Sequence, residues 1–190
     1  MSTGDELQGR RIAVVVANEG VERVELTRPV AAIEEAGGEA VIVAPEIGDV
    51  QTFDHLDKAE VVQATVASAD ASLDGFDGIV LPGGVANPDQ LRTDEAAVAL
   101  LRDAARDGTP IAVICHGPWT LIDAGVVEGR MITSWPSLRT DLTNAGATWV
   151  DEELVVCDHG AGPLVSSRNP GDLDVFCAAI VERMRSTVDA

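Results

Sequence analysis

Lysine is almost absent from this sequence. Lys58 is the only one among 13 basic residues, set against 32 acidic ones, and the formal net charge is −19. A field of that sign repels polyphosphates and anionic headgroups, so neither nucleic acid nor a membrane surface is an expected partner. Long apolar runs are missing too: none approaches the ~20 residues a membrane-spanning helix needs, and "MSTGDELQGRR" lacks the apolar segment of a signal peptide. The expected location is the cytoplasm. Cysteine is scarce, with only Cys115, Cys157 and Cys177 and no CxxC spacing, which excludes a disulfide framework and a zinc ribbon and predicts free thiols in a reducing compartment. The acidic excess has two readings, a high-GC genome that favours Arg, Asp and Ala or a cytoplasm rich in salt.

What is present is a core. With 190 residues and 46% hydrophobic content, the chain is long enough for one domain, 1–190 with its core at about 10–186. "RIAVVVA" (11–17) is a continuous apolar run, as expected of a strand buried on both faces. "VELTRPVAAIEEAGG" (24–38) reads as a helix with Pro29 near its first turn, and "EAVIVAP" (39–45) as a second strand. Residues 46–72 are less regular and read as an excursion, a β-hairpin. "FDGIVLPGG" (76–84) is a strand ending in a Pro-Gly-Gly turn. "TDEAAVALLRDAARDG" (93–108) is a helix with its N-cap at Thr93, and "TPIAVIC" (109–115) is the next strand. "GPWTLIDAG" (117–125) is a short helix. "RMITSW" and "ATWVDEELVVC" suggest strands around a helix near 137–145, followed by a strand in "GPLVSSR" (162–168) and a closing helix over 172–186. Alternation of this kind predicts an α/β fold, doubly wound around a mainly parallel sheet.

In such sheets ligands bind outside the carboxyl ends of the strands, where strand order reverses. The three clearest strands end in "NEGVERVE" (18–25), "PGGVANPD" (82–89) and "CHGPW" (115–119). One crevice can therefore hold Glu22 or Glu25, the backbone of Gly83 and Gly84, and Cys115 with His116. A cysteine at a strand-to-helix turn sits near free N–H groups that favour its thiolate, the nucleophilic form. The N–H groups of Gly83, Gly84 and His116 suit a developing oxyanion. A partly buried glutamate with a raised pKa can shuttle a proton. A lone cysteine after an apolar strand is more often inert, but strand-Cys-His-Gly-helix, one crossover after a Pro-Gly-Gly turn, shifts Cys115 to a functional reading.

Other residues read as structural. Cys157 and Cys177 lie in apolar patterning and belong to core packing, while His55 and His159 belong to the surface. A metal site from Cys115, His116, Cys157 and His159 fits no usual ligand spacing, so neither metal nor cofactor is expected. Trp119, Trp135 and Trp149 are packing residues, with Trp119 and Trp135 candidates to line the crevice and contact substrate.

"VVANEGVERVEL", "IVLPGGVANPDQLR", "AVICHGPWTLIDAGVVEGRMITSWPSL", "NAGATWVDEELVV" and "VSSRNPGDL", in this order, closely resemble the ThiJ/PfpI family, over about residues 10–185. Its members are described as intracellular cysteine peptidases and as protein deglycases or glyoxalases. The resemblance implies a flavodoxin-like fold, a three-layer α/β/α sandwich, of the class I glutamine amidotransferase superfamily. It implies Cys115 as nucleophile on an elbow, His116 as its imidazole partner and Glu25 as the glutamate on the sulfur. It also implies that Asp89 of a neighbouring subunit reaches His116, completing a triad across an interface, so that a homo-oligomer, dimer or hexamer, builds the site. The loop "GGVANPD" is one residue longer than the family's usual one. Glutamine amidotransferases carry Gly-x-Cys-x-Gly and a downstream His-x-Glu. Here Val113 fills the first glycine position and "SSRNPGD" offers no such histidine, so ammonia transfer is disfavoured.

The expected function is a cysteine-dependent hydrolase of the deglycase or glyoxalase kind, acting through a Cys115 thiolate on a small reactive dicarbonyl or on glycated protein. The alternatives are an intracellular peptidase using the same residues, and a stress-response sensor or chaperone whose Cys115 is oxidised to a sulfinate stabilised by Glu25.

Overall fold

The computed structural model of the chain describes residues 4–185. Strand β1 (Arg11–Val15) explains the architecture. Ala13 and Val15 enter one apolar cluster and Ile12 and Val14 the other, so both faces of the strand are covered. The chain continues through β2 (Glu19–Glu22), α1 (Arg23–Glu35), β3 (Glu39–Ala44), the hairpin of β4 (Gly48–Asp54) and β5 (Asp57–Ala64), and β6 (Val66–Ala67). Next come β7 (Gly78–Leu81), α2 (Ala86–Leu91), α3 (Glu95–Asp107), β8 (Ile111–Ile114) and α4 (Pro118–Asp123). The last third holds β9 (Met131–Ile132), α5 (Arg139–Asn144), β10 (Thr148–Trp149), β11 (Val155–Cys157), β12 (Leu164–Ser167) and α6 (Leu173–Met184).

The seven-stranded sheet has the order β11-β12-β8-β7-β1-β3-β6 and is parallel except for β11 against β12. Helices α1 and α6 cover one face through Leu26, Ile33, Phe176 and Ile180; α3, α4 and α5 cover the other through Leu101, Leu121 and Leu142. This is the flavodoxin-like sandwich. From β1 the chain moves out to β3 and β6, then returns to β7, β8 and β12 on the other side. Strand order therefore reverses between β1 and β7, and a crevice opens there at the carboxyl ends.

The excursion at 46–72 is a hairpin, β4–β5, but it sits in a second sheet with β2, which pairs parallel to β4. β2 was not expected. α1 starts at Arg23, one residue before the expected start, and Pro29 lies inside the helix rather than near its first turn. "ATWVDEELVVC" is not one strand but two, β10 and β11. The cap of α3 is Asp94, not Thr93: its carboxylate accepts the Ala97 N–H at 2.7 Å, while the Thr93 hydroxyl donates to Gln90 O. The closing helix ends at Met184, and Ser186 lies outside the described residues. Among the described residues, no helix is long and apolar enough to cross a membrane.

Candidate active site

Cys115 follows β8 directly and adopts φ 61°, a left-handed conformation that costs a non-glycine residue roughly 1–3 kcal/mol. Neighbouring elements hold it there. Its N–H donates to Ser167 O at 3.1 Å, and its carbonyl accepts the Trp135 N–H at 2.9 Å. Gly117 lets the chain turn at once into α4, since a Cβ there would lie 2.8 Å from Val113 Cγ2 and 2.9 Å from Leu81 O. Pro118, at the first turn of α4, needs no donor partner.

Two ionisable side chains meet the sulfur. The Cys115 Sγ and His116 Nδ1 are 3.2 Å apart, so adjacent residues on the elbow do face each other. Glu25 reaches in from α1, fully buried; its Oε2 accepts the Gly83 N–H at 2.9 Å, and its Oε1 has no N–H or O–H donor among the described residues. Burial pushes the Glu25 carboxyl up to about 8, opposed in part by hydrogen bonds from Cys115 and Gly83. Burial also pushes the Cys115 thiol up, and the charge on Glu25 adds to this, while the N–H groups of Gly84 and His116 pull the other way. Burial holds His116 down, at about 4. Burial of the sulfur and the nearby Glu25 carboxylate thus work against the expected thiolate, and the Gly84 and His116 N–H groups work for it.

The crevice has a volume of about 150 Å³ and is lined by Glu22, Glu25, Gly84, Cys115 and His116, with His55, Leu56, Val85, Trp135 and Pro170 completing the wall. Gly83 is required by space: a Cβ would lie 2.6 Å from both Cys115 Cβ and Glu25 Oε2 and 2.9 Å from His116 N. Its N–H is spent on Glu25, which leaves Gly84 and His116 as the donors beside the sulfur. Gly84, at φ 86°, passes so close to β2 that a Cβ would meet Gly20 O at 2.3 Å.

Other expected residues lie elsewhere. Trp119 does not line the crevice. Its ring stands 5.6 Å from His116, its Nε1 donates to Asp141 Oδ2 at 2.8 Å, and it borders a separate depression with Arg92. Trp135 does line the crevice and stacks on His116, with ring centroids 5.5 Å apart. Asp89 is exposed on α2 and, among the described residues, has no ion-pair partner. Ser137 was missed: its exposed hydroxyl is 3.4 Å from His116 Nε2, in a turn that "SWPS" marks only by its proline. His55 is exposed as expected, yet it stands at the crevice, and its N–H donates to Glu22 Oε2 at 3.0 Å. Cys157 and Cys177 are buried in the core. Pairing of Cys157 with Leu164, and of Leu164 with Ile111, sets Cys157 and the following His159 at the amino end of β8, away from Cys115.

The sequence pattern of the DJ-1/PfpI family matches residues 10–183. The deglycase PfpI of Pyrococcus furiosus is 41% identical over 175 residues, 92% of this chain and 99% of that protein. A putative cysteine protease of Bacillus subtilis, YraA, is 39% identical over 167 residues, 88% of this chain and 94% of that one. The solved structure of Drosophila melanogaster DJ-1β superposes with a TM-score of 0.78 at 27% identity, covering 93% of this chain and 90% of that one. An elbow cysteine against a buried glutamate, on a sheet of this order and with matches of this length, leaves one conclusion: the chain belongs to the DJ-1/PfpI family.

Proposed function

We propose that the protein is a cysteine-dependent hydrolase of the deglycase or glyoxalase kind. Its substrate is a small dicarbonyl such as methylglyoxal, or the adduct that such a compound forms on protein, and its product is a hydroxy acid. One observation carries the reading. A thiol hydrogen-bonded to a neutral imidazole, at 3.2 Å, opens on a crevice of only about 150 Å³, which suits a three-carbon carbonyl compound better than a length of peptide.

Roles follow from the protonation states. Neutral His116 takes the thiol proton as sulfur bonds the aldehyde carbon, and the new oxyanion rests on the N–H groups of Gly84 and His116. His116 then returns the proton to that oxygen, giving a hemithioacetal. Glu25, which accepts from the Cys115 thiol and whose carboxyl is raised to about 8, takes the C1 proton and delivers it to C2. Moving the C1 proton to C2 through an enediol oxidises one carbon as it reduces its neighbour, so no outside oxidant is needed. Water cleaves the resulting thioester, the sulfur regains a proton and lactate leaves. Asp89 of a second chain is the acid proposed to replace Ser137 at His116 Nε2 in a homo-oligomer.

The test incubates wild type, Cys115→Ala, Glu25→Gln and Asp89→Asn with methylglyoxal and, separately, with labelled peptides. Lactate from wild type, none from Cys115→Ala, and rates lowered about 10²-fold or more in Glu25→Gln and about tenfold in Asp89→Asn support the reading. Peptide cleavage without lactate turns it toward a peptidase, the activity in the name of the Bacillus relative. Turnover of neither, with selective oxidation of Cys115, turns it toward a sensor.

A further inference from the structure

This acidic chain keeps most of its cations in ion pairs. Among the described residues nine Lys and Arg side chains meet a carboxylate, and Arg102, Arg130, Arg139 and Arg185 do not. Of those without a partner, Arg102 and Arg130 line one cavity. It measures about 320 Å³ and lies at the amino end of the central sheet, opposite Cys115. Arg102 and Arg106 reach it from α3, Arg130 from the segment before β9, and His159 from the loop between β11 and β12; among the described residues Glu128 is the only carboxylate on its wall.

Arg130 is the informative residue. It is 5% exposed and makes one hydrogen bond, from Nη1 to Gly162 O at 2.8 Å. The loop over it is built from glycines where side chains would collide. A Cβ on Gly160 would lie 2.5 Å from Arg130 Nη2, and one on Gly162 would lie 2.4 Å from Gly108 O. Backbone is thus laid directly against a guanidinium that pairs with no carboxylate among the described residues. Burying such a group works against folding, and an apolar side chain of similar volume would serve the core better. The other arginines have ordinary contacts that leave donors free: Arg102 donates to Asp123 O at 3.4 Å, and Arg106 pairs with Asp103 at 2.6 Å. Capping carbonyls at a helix end explains one N–H of Arg102, not the convergence of three guanidinium groups and an imidazole.

We propose that this cavity is a second binding site, for a small molecule carrying a single phosphate group. The phosphate sits between Arg130 and Arg102, with Arg106 and His159 at the mouth. Three forked guanidinium groups supply more donors than a two-oxygen carboxylate can accept, and a phosphate dianion offers three oxygens to them. The net charge of −19 disfavours anything more highly charged. Inorganic phosphate and a phosphate monoester present the same group, so the experiment separates them.

The full-length protein is titrated calorimetrically with inorganic phosphate, with glycerol phosphate and with lactate, at one ionic strength set by NaCl. Saturable binding of a phosphate compound is expected. Arg102→Gln, an exposed change that spares the core, weakens it about tenfold, the scale of one charge-assisted hydrogen bond. Arg139→Gln, which removes the same charge beside Trp149, leaves it unaltered. Tighter binding of glycerol phosphate supports a monoester as the natural occupant; equal binding supports the free ion. Arg130→Gln abolishes binding if circular dichroism shows it folded. Absence of saturable binding, lactate binding as tightly as phosphate, or equal weakening by Arg102→Gln and Arg139→Gln overturns the proposal.

Discussion

At the carboxyl end of the sheet, Cys115, Glu25 and His116 are packed so that burial favours the uncharged form of each; at the amino end, Arg130 is also shielded from solvent but keeps its charge. The difference lies in the chemistry of the groups. A carboxyl, a thiol and an imidazole can answer desolvation by holding or losing a proton near neutral pH, whereas a guanidinium, although burial lowers its pKa, stays protonated. The first end is therefore a store of protons set around a sulfur. The second is a positive charge in want of an anion.

The strongest way to break the first end is steric. Gly83→Ala places a methyl carbon 2.6 Å from Cys115 Cβ and Glu25 Oε2 and 2.9 Å from the His116 backbone nitrogen. The backbone contact cannot yield as a flexible side chain would. The variant is expected to lose roughly 3 kcal/mol of stability, the upper end of ordinary overpacking, and nearly all activity. Denaturant unfolding and the lactate assay check it. Wild-type activity in a folded Gly83→Ala protein would show that the close packing of Glu25, Cys115 and the Gly83 turn is not needed.

A gentler change acts on charge alone. Glu25 is raised from 4.5 to about 8, so the folded protein holds a proton that the unfolded chain gives up; its contribution is present at low pH and is lost as pH rises toward 8. His116 is lowered from 6.5 to about 4, so its contribution is present above 6.5 and is lost as pH falls toward 4. Between 4.5 and 6.5 the two oppose each other. Between 6.5 and 8 Glu25 acts without that opposition, and stability is expected to fall by on the order of 2 kcal/mol across the window. Glu25→Gln keeps the acceptor for Gly83 and cannot titrate, so its unfolding free energy stays flat where that of wild type declines. Parallel curves for the two proteins would remove Glu25 as the proton reservoir.

Much of this contrast was legible at one end and none at the other. The apolar runs gave the parallel strands, and strand-Cys-His-Gly-helix marked the elbow, because burial on both faces and abrupt turns leave a local imprint. Long-range pairing leaves none. β2 exists because Glu19, Val21 and Glu22 find Gln51, Thr52 and Phe53, and no local apolar pattern in "EGVE" announces it. The Cys115–His116 contact depends on φ 61° at a cysteine, a conformation imposed by Ser167 and Trp135 from other elements. Likewise, Gly83 N–H serves Glu25, from 58 residues away, and Asp141 turns Trp119 aside. Nothing local in "VEGRMI" marks Arg130, because its burial is made by a glycine loop at Gly160 and Gly162.

The smallest expected effect is the one that separates the two ends most cleanly. If Arg130 is kept for a ligand rather than for the fold, Arg130→Met should leave stability in phosphate-free buffer within about 1 kcal/mol of wild type, or raise it, because the apolar stem is retained and an uncompensated charge is removed. Arg168 is the control. Its guanidinium makes a two-bonded pair with buried Asp172, at 2.9 and 3.0 Å, and also holds Asp151 at 2.9 Å, so Arg168→Met strands a buried carboxylate and should destabilise visibly more. Adding phosphate should then stabilise wild type and Arg168→Met but not Arg130→Met, since only a state that binds the anion gains from its concentration. If Arg130→Met were instead the less stable variant, with phosphate making no difference, the bond to Gly162 would be the reason for the arginine, and the amino end would be a structural clamp.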